Sequence, residues 1–157
     1  ECLKMWRLLR PDAYRVWNDD IVRERLRRYY EVFNDRLVAK SLVALKVGVD
    51  VELGLELGKL WSAHDKTSGI FRGVLKRIDI GEIKLEDMDT PKISYLDLKI
   101  ELARRILAQC HFCERRCGAN RLEEEKGFCR LGSKSYVSTA FLHTGEEAPL
   151  VPSGTNA

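Results

Sequence analysis

The chain has 157 residues, 45% of them apolar and 32% charged, with a formal net charge of +3. That is apolar material for one ordinary domain core, and it excludes a low-complexity or fibrous chain. No apolar run approaches the roughly 18 residues that a membrane-crossing helix needs, and the charged opening ECLKMWRLLR does not read as a secretory leader.

Taken in chain order, Leu3 to Leu9 reads as a short helix that stops before Pro11, because proline disfavours helix in the residue ahead of it. Cys2 stands alone and reads as a small buried hydrophobe. From Asp20 the residues Val22, Leu26, Tyr29 and Phe33 fall at i, i+4, i+7 and i+11, one apolar stripe of a helix running to Arg36. The NDD before it offers N-cap side chains. The charge surplus lies here: residues 1–46 carry 11 positive and 7 negative side chains, against 10 and 11 in 47–109 and 6 and 6 in 110–157. A basic patch with Tyr29 and Tyr30 can meet nucleic acid; arginines on the wet face of a helix are the plainer account.

LVAKSLVALKVG suits either a continued helix or a buried strand, and periodicity alone does not choose. In LELGKLWSAHDKTSGIFRGVL, residues Leu57, Leu60, Trp61, His64 and Ile70 fall near helical spacing, so a helix is expected with His64 in its core or at an interface. KRIDIGEIKLEDMDTPKI reads as a polar connector. SYLD then places Ser94 as an N-cap with Asp97 three residues on, a capping box. Beyond it Leu98, Leu102 and Ile106 form one apolar row and Ile100, Ala103 and Leu107 a second. This helix runs directly into Cys110. After the cysteine segment, Tyr136 to Leu142 alternates as a strand, and EEAPLVPSGTNA reads as loop.

Four of the five cysteines stand within twenty residues as C-x2-C-x3-C-x11-C: Cys110, Cys113, Cys117 and Cys129. Residues 3–109 have none, which argues against a disulfide scaffold and for a reduced, cytoplasmic metal site. Four thiolates make a closed tetrahedral shell for zinc and equally the usual complement of an iron–sulfur cluster; spacing does not choose between them. Six cationic residues between Arg115 and Lys134 favour the thiolate forms. His111 reads as a neighbour of the shell, and His143 as a weaker functional candidate. The expected architecture is mainly α: a helical domain at 1–109 of four or five helices, a four-cysteine knuckle at 110–134, and a short extended tail at 135–157.

From Cys110 onward, CHFCERRCGANRLEEEKGFCRLG followed by YVSTAFLHTGEEAPLVPSGT resembles the region just upstream of the barrel in radical S-adenosylmethionine proteins, in the archaeal-type subgroup related to pyruvate formate-lyase activating enzymes. The matching residues are Cys110, Cys113, Cys117, Gly118, Arg121, Gly127, Cys129, His143, Gly145, Glu146, Glu147, Ser153 and Gly154. Glu114 stands where that group has proline. The C-x3-C-x2-C motif of the catalytic cluster does not occur before Ala157, so the resemblance implies an N-terminal accessory region that lacks the catalytic cluster itself. It further implies a downstream barrel holding S-adenosylmethionine and a 4Fe-4S cluster, with a protein substrate among the partners. The alternative is a stand-alone zinc-knuckle helical module that binds RNA, a ribosome or a protein partner through Asp20 to Arg36.

Overall fold

A computed structural model of the chain describes Pro11 and residues 15–140. Cys2, the helix expected at Leu3 to Leu9, His143 and the loop from Glu146 lie outside the described residues. Among the described residues the protein is mainly helical, with α1 (Asp20–Phe33), α2 (Lys40–Lys46), α3 (Leu57–Asp79) and α4 (Tyr95–Ala108). Three-residue 3-10 turns lie at Val16–Asn18, Leu85–Asp87 and Arg121–Glu123. No helix among the described residues is long and apolar enough to cross a membrane.

The strand expected at Tyr136 to Leu142 needs correction over its described part. Residues 136–140 form no strand with any described residue, and Val137 is 82% exposed. Alternating side chains make a strand only where a second edge supplies hydrogen bonds.

The chain divides into two compact units. Residues 38–135 make one; of the other, 15–37 and 136–140 are described. The boundary read at residue 109 thus falls inside the larger unit, where helix and cysteine segment are continuous.

In the smaller unit, Asp19 caps α1 by accepting from the amides of Ile21 at 2.8 Å and Val22 at 3.2 Å. The helix stops at Phe33, short of Arg36: the Asn34 amide side chain donates to the Tyr30 carbonyl at 2.7 Å, and Asp35 turns the chain at φ +56°. Val22, Leu26 and Tyr30 are partly covered, whereas Tyr29 is 40% exposed. A spacing of four and four holds the same face as well as four and three, and Trp17 decides between them by placing its ring 4.6 Å from that of Tyr30.

In the larger unit α3 carries the longest apolar face. Leu60, Ala63, His64, Thr67, Phe71, Val74, Leu75 and Ile78 recur every three or four residues and are all covered. Trp61 and Ile70, also read as part of this face, are exposed instead. The helix also takes in Lys76 to Asp79, which read as connector. Ile78 completes the buried row, and Gly81 at φ +74° then closes a Schellman turn, its amide bonding the Ile78 carbonyl and that of Glu82 the Arg77 carbonyl.

Opposite lie α2, with Val43 and Ala44 buried just ahead of Val47, and α4, with Tyr95, Leu98 and Leu102. The ambiguous LVAKSLVALKVG is therefore helical over 40–46, and only Gly48 makes β-type contact, an isolated antiparallel bridge to Ser94. That bridge is built from Tyr95 N to Val47 O at 2.8 Å and Val49 N to Ile93 O at 3.0 Å. Of the two rows read on α4, Leu98 and Leu102 are buried and Ile106 partly covered, but Ile100 is 51% exposed.

The start of α4 is a complete capping box. The Asp97 amide donates to Ser94 Oγ at 3.2 Å, while the Ser94 amide and hydroxyl donate to Asp97 Oδ2 at 2.8 and 2.6 Å. These bonds from Ser94 hold the Asp97 carboxyl below its ordinary range. At the helix interface Tyr95 Oη donates to His64 Nε2 at 3.0 Å, with Lys99 Nζ 3.3 Å from the same nitrogen. Both donors share one lone pair, so the His64 proton sits on Nδ1, facing Asp65.

Three substitutions test the helices. Gly73 lies in the α3 interior, exposed, and a Cβ there meets nothing within 4 Å. Gly73→Ala should stabilise the fold by about 0.5–1 kcal/mol, read as a higher denaturation midpoint in urea. Ser94→Ala should cost about 1 kcal/mol. Asp97→Ala should show a pH signature: since the folded carboxyl titrates below 3.8, the wild-type advantage is full above that pH and vanishes as pH falls through the folded value. Urea titrations from pH 2 to 7 check both.

Candidate metal centre

The site begins where α4 stops. The Cys110 amide donates to the Ala119 carbonyl at 3.0 Å and the Gly118 amide returns to the Cys110 carbonyl at 2.9 Å, pinching 110–119 into a closed loop. Within it Arg116, at φ +41°, donates to the Cys113 carbonyl at 3.0 Å, and Gly118 takes φ +71°. A second loop is tied at Asn120, whose amide donates to Glu125 Oε2 at 2.8 Å and whose carbonyl accepts from the Glu125 amide at 3.1 Å. A third turn runs from Gly127 to Arg130, closed by Arg130 N to Gly127 O at 2.8 Å, with Arg130 at φ +59°. Glu124 of the acidic run, at φ +59°, accepts from Ser133 Oγ at 3.1 Å. The acidic run Glu123 to Glu125 is thus a set of ties.

At the centre stands a residue that charge counting along the chain did not separate from its basic neighbours. Arg121 is only 7% exposed. Its Nη1 donates to the Leu131 carbonyl, and its Nη2 lies 3.1 Å from Cys129 Sγ and 3.9 Å from Cys117 Sγ. The Cys110 thiol also bears on this guanidinium, and on Cys117. Two of the four expected ligands, Cys117 and Cys129, therefore meet on one cation. Cys113 is exposed and lies outside that contact set, and all four thiols are free. His111 uses Nδ1 to donate to the Gln109 carbonyl at 2.8 Å.

The electrostatics favour thiolate. The Arg121 guanidinium is the main cause that holds the Cys129 thiol below its ordinary range, with the Leu131 amide adding to it. For Cys117 the Ala119 amide is the main cause, and burial works against it. The thiols in turn keep Arg121 firmly protonated.

The donor types fit zinc or an iron–sulfur cluster in chemistry: four free cysteines in one segment, two of which, Cys117 and Cys129, are biased to thiolate. Among the described residues, however, no three potential ligands stand in a metal-holding arrangement as they are.

No family profile matches the chain, and no solved structure matches it. An uncharacterized protein of Methanocaldococcus jannaschii is similar: 46% identical over 131 residues, covering 83% of this chain. The matched stretch spans only 36% of that protein's length. A stretch that long cannot miss residues 38–129 of this chain, so it takes in α2 to α4 and all four clustered cysteine positions.

Gly127 packs against this centre with no room for a side chain. A Cβ there would overlap Cys117 Sγ and come within 3.1 Å of Arg121 Nη2. Gly127→Ala should therefore loosen the 110–134 segment and leave the helices intact. Tryptic cleavage at Arg115, Arg121 and Lys126 should quicken several-fold, with the far-ultraviolet circular dichroism of the helices unchanged.

Proposed function

We propose that this chain is the N-terminal accessory region of a radical S-adenosylmethionine enzyme of the activating-enzyme type, carrying a zinc or iron–sulfur site on Cys110, Cys113, Cys117 and Cys129. The observation that carries the metal reading is that Cys129 and Cys117, from two separate loops, meet on the buried Arg121, next to the helix end that delivers Cys110. The enzyme reading rests on the likeness of 110–157 to the segment ahead of such barrels. That the chain spans 36% of its archaeal relative's length suits a region that works within a longer protein. In that setting the cysteine segment braces the helices against a following barrel or carries an auxiliary cluster. The barrel, with its S-adenosylmethionine and 4Fe-4S cluster, would supply the radical chemistry, in the cytoplasm.

The nucleic-acid reading has a weaker footing. Trp17, Tyr30, Arg23, Arg27 and Arg36 line one cavity, but Asp20, Glu24 and Glu31 line it too. Arg23 pairs with Asp20 and Arg36 with Glu31, so much of the positive charge there is already compensated.

The native coding sequence beyond Ala157 tests the proposal. A C-x3-C-x2-C motif within about twenty codons is expected. The longer protein, reconstituted anaerobically, should then cleave S-adenosylmethionine to 5′-deoxyadenosine. A stop codon soon after Ala157 overturns the enzyme reading. Elemental analysis of the 157-residue chain purified without oxygen should find zinc or iron, lost on changing Cys113 and Cys117 to serine.

A further inference from the structure

We propose that Arg121 is the positioning residue of the four-cysteine site, a cationic tie that joins the Cys117 loop to the Cys129 turn and offsets the charge of the thiolate shell. The role rests on the metal reading of that site and adds to it a residue that is not a ligand.

The geometry separates Arg121 from the other five cations of the segment. Lys126 and Arg130 are exposed, as are Arg115 and Arg116, and Arg115 lies 4.2 Å from the centre of the exposed Phe128 ring. Arg121 alone among the segment's arginines is buried. A buried guanidinium with no partner would be costly, so its partners define what it is for. They are the Leu131 carbonyl on one nitrogen and the sulfurs of Cys129 and Cys117 on the other. One planar group thus reaches the backbone just past Cys129 and sulfurs on both sides of the 3-10 turn. Lysine cannot do this, since its single ammonium lacks the fork.

Charge argues the same way. Four thiolates around a divalent ion leave a net charge of −2. Cys110 is 3% exposed, so part of that charge is screened poorly by water. A fixed guanidinium removes half of it and donates N–H···S bonds, the kind of outer contact that tunes metal–thiolate sites. Gly127 leaves the room for this approach, since a Cβ there would crowd both the sulfur and the guanidinium.

The test uses the 157-residue chain with Co(II) as the probe, titrated without oxygen against a competing chelator. Tetrahedral thiolate ligation gives sulfur-to-cobalt charge-transfer bands in the near ultraviolet, and their intensity reports the number of sulfurs. Wild type should show the four-sulfur spectrum. Arg121→Met should bind Co(II) about 10–100-fold more weakly. Arg121→Lys, which keeps the charge and loses the fork, should recover part of that loss. Far-ultraviolet circular dichroism of α2 to α4 checks folding. Should Arg121→Met fail it, Arg121→Gln replaces Met in the comparison. Wild-type affinity in the neutral variant overturns the proposal. So does a lysine variant no better than the neutral one, which would mean that Arg121 only fills space. Absence of the four-sulfur spectrum in wild type sinks the metal reading itself, and the role of Arg121 with it; that outcome is read in the wild-type arm alone.

Discussion

The reciprocal hydrogen bonds between Ser94 and Asp97 set where α4 begins, and much of the larger unit follows from that start. With the first turn fixed at Tyr95, the helical period points Tyr95, Leu98 and Leu102 at α2 and α3. The same residues at the helix start make the bridge to Val47 and Gly48, so the cap and the core are locked together. After fourteen residues the helix ends at Ala108, two positions before Cys110, which arrives buried and already bonded to Ala119. A change at the first turn is thus transmitted to the first thiol along a rigid rod.

The cysteine segment is organised by a different principle. It has no apolar core of its own: Phe112, Leu122, Phe128 and Leu131 are all exposed. Its order comes from backbone ties and from four residues at positive φ, Arg116, Gly118, Glu124 and Arg130. Three of those four are not glycine, a local cost that the loop closures and the buried guanidinium must offset. A segment held by polar ties around a cluster of thiols gains most when a metal ion adds its own bonds. Arg121 is the side chain that ties the Cys117 loop to the Cys129 turn.

The His64 cluster shows a polar network used for packing. Tyr95, His64 and Lys99 satisfy one another across the α3–α4 contact, with the Tyr95 ring also 5.4 Å from Phe71 and 4.4 Å from Lys99 Nζ. A buried phenol needs a hydrogen-bond partner, and a histidine from the neighbouring helix supplies it. The arrangement fixes the rotation of the two helices about each other more narrowly than aliphatic contacts can.

Local chemistry was legible from residue order alone. The Ser94–Asp97 box, the Asp19 cap, the presence of helices from Asp20 and through Leu57 to Leu75, though not where they end, and the grouping of four cysteines follow from rules that act over a few residues. Which side chains a helix buries did not follow in full. Tyr30 displaced Tyr29, and Trp61, Ile70 and Ile100 stayed outside, because each choice depends on what another element presents. The helical state of residues 40–46 was likewise decided by docking on α3 and α4, since its short apolar run suits helix and strand equally. Arg121 marks the clearest limit. In sequence it is one of six cations among the cysteines; only the folded loops bring the Leu131 carbonyl and the thiols around it, and burial then turns an ordinary charge into the centre of the site.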